Sequence, residues 1–158
     1  MRLSFLCRSL ILFGLVNFVH ATTNDPISIC AIRISFEEDE LASTTGNGNF
    51  LYEGEGINCN SYTLDPVPHD KEYFQSQLVA LDSYFSSISY GKFGVNIEGS
   101  SIFPSSQNGS YQLPNKMNHY NPYNEIELQE LRLTELFKEG VSAAYEVDSI
   151  NYSDYDLI

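Results

Sequence analysis

The sequence is short of positive charge: its 158 residues hold 8 Lys+Arg against 21 Asp+Glu, a formal net charge of -13. A surface of that sign is repelled by nucleic-acid phosphates and by anionic lipid heads, so neither is an expected partner. Histidine is also scarce, with three in the whole chain. His69 and His119 stand far apart, and neither belongs to a His-Glu-x-x-His run. That run puts two imidazoles on one helix face beside a general base, so this sequence contains no zinc site of the common peptidase kind. A Gly-x-Ser-x-Gly elbow is missing too, which removes the usual serine nucleophile. Neither Cys30 nor Cys59 has a nearby His to activate it. The glycines at 46, 48, 54 and 56 are too irregular for a phosphate-binding fingerprint, and no helix follows them. With no EF-hand loop, a Ca²⁺ site would have to be irregular. A glycosidase pair cannot be picked from 21 acids by spacing alone. No catalytic, cofactor-binding or metal residue is therefore assigned.

Long apolar runs are missing as well, save one at the amino terminus. The unbroken stretch Leu10 to Val16 falls far short of the roughly 20 residues that cross a bilayer. With Arg2 ahead of it and Val19-His20-Ala21 behind, it reads as a secretory signal peptide, residues 1–21, cleaved after Ala21. The expected mature chain, residues 22–158, is secreted or extracytoplasmic and free of the membrane. Its 6 Lys+Arg against 21 acids leave a net charge of about -15. Cys7 departs with the leader. Cys30 and Cys59 remain as an even pair that an oxidising compartment would allow to bridge, while a buried free thiol at Cys30 stays equally open.

What is present suffices for a core, with 42% hydrophobic and 13% aromatic residues. Ile27 to Phe36 alternates as a strand with Ile32, Ile34 and Phe36 on the core face, and Glu37 to Glu40 reads as its solvated exit. Residues 43–60 read as a long loop around a short strand, Phe50-Leu51-Tyr52. Asp70 is the expected N-cap of a helix from about Lys71 to Ser89 whose apolar stripe is Phe74, Leu78, Leu81, Phe85 and Ile88, with Gly91 as its C-cap. Phe93 to Gly99 reads as a strand, and Ser100 to Phe103 and Tyr111 to Leu113 as shorter ones. Asn115 to Asn124, carrying His119, reads as a polar turn-rich segment. A second helix is expected from about Glu125 to Glu146, burying Leu128, Leu131, Phe137, Val141, Ala144 and Tyr145. Tyr155 to Ile158 reads as the opening of a strand. His69 is expected to cap or touch the first helix rather than bind metal. Asn108-Gly109-Ser110 and Asn151-Tyr152-Ser153 match the short glycosylation pattern. The fold class is thus α+β (α/β), a mixed sheet with two main amphipathic helices.

Several of these segments, in this order, are similar to the front part of the immune inhibitor A-like family of secreted metallopeptidases, a branch of the zincins. They are Ala31 to Phe36, Thr44 to Phe50, Pro68-His69-Asp70-Lys71-Glu72-Tyr73-Phe74, Leu81-Asp82-Ser83-Tyr84-Phe85, Ser89-Tyr90-Gly91-Lys92-Phe93 and Asp154 to Ile158. The resemblance covers residues 29–158. It implies the sheet-and-helix N-terminal subdomain of a zinc endopeptidase, bordering the cleft for a peptide or protein substrate. The family's zinc helix lies downstream of the strand beginning at Tyr155, so none of its ligands maps onto this chain, and zinc is expected for the full-length protein only. The chain is then expected to be an amino-terminal fragment without activity of its own. The alternative is a small secreted α/β binding or adhesion module.

Overall fold

The computed structural model describes residues 25–42, 44, 46–53, 57–59, 62–65, 67–121 and 126–158. The leader and its cleavage site fall outside that range. The elements are β1 (Cys30–Ile32), β2 (Ile34–Glu37), β3 (Ile57–Cys59), β4 (Tyr62–Asp65), α1 (Lys71–Ile88), β5 (Ser101–Phe103), β6 (Tyr111–Lys116), α2 (Met117–Tyr120), α3 (Ile126–Asp148) and a 3-10 turn (Tyr152–Asp154). The mixed α and β character holds, but the strands form pairs rather than one broad sheet. β1 runs parallel to β5, β2 runs parallel to β6, and β3 and β4 pair antiparallel. Only Arg33 separates β1 from β2, so the two are one extended line along which β5 and β6 lie in succession.

Alternation sends the two faces of that line to different helices. Cys30, Tyr111, Ala144 and Ile150 form the core cluster, with Ile32, Phe103 and Ala143 packed against it, which docks α3 on one face. Ile102, between Ser101 and Phe103, lines a cleft with Leu78 and Gln75 of α1 on the other. The expected core face is only half right. Ile32, Ile34 and Phe36 are half-buried, whereas Arg33 is 2% exposed and Ser35 is buried. Asp39, inside the four-acid run expected to be solvated, is buried too, its carboxylate accepting from the Leu41 N–H at 2.7 Å.

α1 begins as its sequence dictates. Asp70 is extended and its Oδ1 accepts from the Tyr73 N–H at 2.9 Å, capping the first turn. The cap at the far end is Ser89 rather than Gly91. Gly91 follows at φ 75°, where its lack of a Cβ lets its N–H reach back to Ser86 O at 2.7 Å. The strand expected over Phe93 to Gly99 shrinks to a single bridge, Val95 to Ile27. Side chains take its backbone groups instead: Asp82 Oδ1 accepts from the Val95 N–H at 2.8 Å and Asn96 Oδ1 from the Gly99 N–H at 3.0 Å. Phe50-Leu51-Tyr52 is irregular, held by the His69 N–H donating to Leu51 O at 2.8 Å. The end of the expected loop forms β3, which pairs with β4 just beyond it. The segment expected to be turn-rich extends β6 to Lys116 and then forms α2.

The largest difference concerns α3. Of the six residues expected to face the core, Ala144 is 0% exposed and Val141 half-buried, but Leu128, Leu131, Phe137 and Tyr145 are exposed, Phe137 at 54%. The side turned inward carries Arg132, Glu135, Glu139, Gly140, Ala143 and Ala144 instead. α3 lies close to β2 at Gly140, where a Cβ would stand in ordinary van der Waals contact with Ile34 Cγ2, 3.4 Å away. α1 buries no residue fully, and Tyr84 and Ile88 stand open to solvent.

Candidate functional site

Three places combine chemistry with shape. The first is the seat of Arg33. Its guanidinium donates from Nη1 to Gln107 O at 2.8 Å and from Nη2 to Pro104 O at 2.7 Å and Ser106 O at 2.5 Å. Gln107 Nε2 donates to Asp70 Oδ2 at 2.7 Å, and Gln107 O accepts from the Lys71 N–H at 2.9 Å. A buried cation therefore holds the loop after β5, and that loop holds the start of α1. Burial lowers the Arg33 pKa, opposed by Tyr52, Asp70 and Tyr111. The Tyr73 N–H, aided by Gln107, keeps the Asp70 carboxyl below the usual range against some desolvation. His69 is buried, with its ring 5.0 Å from that of Tyr73, in keeping with a residue that touches the helix.

The second place joins α2 to α3. His119, expected in a loop, lies in a helix with Nε2 2.9 Å from Arg132 Nη1 and 3.2 Å from Glu135 Oε1. Arg132 also donates to Glu135 Oε2 at 2.6 Å. Arg132 first, and His119 after it, hold the Glu135 carboxyl below its ordinary value. A guanidinium only donates, so the ring nitrogen accepts from it when unprotonated and donates to Glu135 when protonated. Beside them the Tyr120 hydroxyl donates to Glu139, and burial first, then that bond, raises the Tyr120 pKa. These contacts pin α2 onto α3, and among the described residues no hydroxyl or thiol is hydrogen-bonded to His119. Among the described residues no group of three or more His, Cys, Asp or Glu side chains could hold a metal ion. Cys30 is a free, buried thiol whose pKa burial pushes up, which suits packing rather than nucleophilic attack. The Cys59 side chain lies outside the described residues.

The third place is apolar: a groove of about 420 Å³ between the β1–β2 line and α3, bordered by Ile32, Ile34, Leu133, Leu136, Phe137 and Ile158. Leu133 is 55% exposed at its rim. Sequence reading missed this groove because it assigned the large apolar residues of α3 to a closed core. The one available signal was the width of the apolar arc, which is more than a helix packed against two short strands can cover. Among the described residues no helix is long and apolar enough to cross a membrane. Compared with protein-family models, with curated proteins and with solved structures, the chain gives no match.

Proposed function

We propose that this chain is the amino-terminal portion of an exported zinc-dependent endopeptidase of the immune inhibitor A-like kind, whose metal ligands and general base lie in sequence beyond Ile158. In this reading residues 1–21 are the export signal, residues 22–158 form one wall of the cleft for an extended peptide or protein substrate, and nucleic acid and membrane are not partners. The observation that carries it is the way the resembling segments meet. Ala31 to Phe36 forms the central line, Pro68 to Phe74 opens α1 on the Asp70 cap, and Asp82 ties the end of α1 to Val95. Asp154 to Ile158 returns to the same line, where Leu157 bridges Ile29 in the parallel sense. Short motifs scattered over more than a hundred residues thus belong to one packed unit.

Reading the frame past Ile158 tests the proposal. A His-Glu-x-x-His downstream is the expected result, and the longer protein should then hydrolyse casein, lose that activity to a chelator and regain it with zinc. A stop codon with no such motif in the locus would sink the idea. The second reading, a secreted binding module without activity, is favoured by the exposed aromatic side chains Tyr84, Tyr90, Phe137 and Tyr145. For a finished module, the chain through Ile158 should melt cooperatively and bind no hydrophobic dye.

A further inference from the structure

One edge of the central line is finished and the other is open. On the finished side the Ser101 N–H donates to Ile29 O at 2.9 Å, the Arg33 N–H to Phe103 O at 2.8 Å and the Tyr111 N–H to Arg33 O at 2.9 Å. A strand turns successive backbone groups to opposite edges, so Cys30, Ile32 and Ile34 present theirs to the other side. There the Cys30 N–H donates to Leu157 O at 2.8 Å, and further along the Phe36 N–H donates to Gly48 O at 3.0 Å. Between these two contacts Ile32 and Ile34 have no backbone partner on that edge among the described residues. The apolar groove under α3 runs beside the same stretch, with Ile158 at its border. An unpaired edge next to an apolar trough is a template for an added strand.

We propose that this edge and groove seat one further strand, parallel to β1 and in register with Leu157, formed by the polypeptide that leaves Ile158. The inference rests on the reading of the chain as the front of a longer one. Leu157 fixes the direction, because a strand continuing from its bridge to Ile29 runs parallel to β1. Two identical copies meeting edge to edge about a two-fold axis would run antiparallel, and each carries a net charge of -13. The span from Cys30 to Ile34 is about 13 Å at ~3.3 Å per residue, room for about four residues before the Gly48 contact. Ile158 borders the groove, so the second and fourth residues after it also face Leu136 and Phe137 and should be apolar. The first and third residues supply the N–H groups for Cys30 O and Ile32 O.

The test is amide hydrogen exchange, read by NMR on three proteins. These are the chain through Ile158, the same chain extended by Thr-Val-Thr-Val-Thr, and the chain extended by Pro-Val-Pro-Val-Pro, which removes the required donors. The Thr-Val extension should slow exchange at Ile32 and Ile34 by about 100-fold or more, and the Pro-Val extension should not. Protection of the Cys30 amide in all three shows that the fold is intact. Unchanged exchange at Ile32 and Ile34 in the Thr-Val protein overturns the proposal. So does protection in the unextended chain that rises with its concentration, which would assign the edge to a second copy. A locus without a zinc motif removes the peptidase reading and leaves this result standing. A zinc motif downstream without protection at Ile32 and Ile34 removes the strand alone.

Discussion

The two faces of the strand line from Ile32 to Ser35 differ in the opposite sense to their polarity. Arg33 and Ser35 are polar and sealed, whereas Ile32 and Ile34 are apolar and half open. Arg33 tolerates burial because three carbonyls of the loop after β5 accept its hydrogens, and a charge is costly in the interior only when such partners are missing. Ile32 and Ile34 stay half open because α3 meets the line with Gly140 and Ala144 and leaves beside it a groove bordered by Leu133, Leu136 and Phe137. Burial in this molecule follows what docks on a face, not the residues that compose it.

Four measurements sharpen or break that comparison. Arg33→Leu should have the largest effect, about 3 kcal/mol or more of stability by urea denaturation, since it strands the carbonyls of Pro104, Ser106 and Gln107. A loss below ~1 kcal/mol would show that water can replace the guanidinium. Next, Leu113→Ala and Ile34→Ala remove apolar groups from neighbouring strands on the same face, one sealed at 2% exposure and one beside the groove. About 3 kcal/mol is expected for the first and about 1 kcal/mol for the second, and equal losses would mean that the groove is closed in solution.

Gly140→Ala should raise stability by up to ~1 kcal/mol, because the helix gains a better former and the new Cβ only touches Ile34 at 3.4 Å. A measurable loss would reveal a tighter contact between α3 and β2. The smallest effect is one of pH. The Asp70 carboxyl is held below its unfolded value of about 3.9, so its contribution is complete above that pH and fades as pH falls through the folded value. The gap in urea midpoint between the native chain and Asp70→Asn should therefore narrow from pH 7 to pH 3. A gap independent of pH would show that the cap works equally well uncharged.

Much of the fold was legible because it is local. Asp70 ahead of an apolar stripe gave the start of α1 to the residue, and the alternation of Ile27 to Phe36 gave the central strand. The strand expected at Phe93 to Gly99 failed where side chains competed for the backbone. Asp82, thirteen residues away in sequence, takes the Val95 N–H, and alternation carries no trace of that. His119 was read as a loop residue because its partners, Arg132 and Glu135, belong to a helix that sequence spacing cannot bring alongside. The groove was missed for a related reason. The periodicity of α3 shows which residues share a side, and says nothing of which side the sheet receives.

The sequence by itself determined the acidic balance and the placing of the two long helices and the central strand, since each helix and strand depends on residues close to one another in the chain. Tertiary structure alone decided that Arg33 would be buried, that α3 would turn its glycine and alanines inward, and that, among the described residues, one edge of β1–β2 would lack a partner between Leu157 and Gly48. Those outcomes depend on competition among distant segments for the same faces and hydrogen bonds. Packing resolves that competition, and periodicity does not encode it.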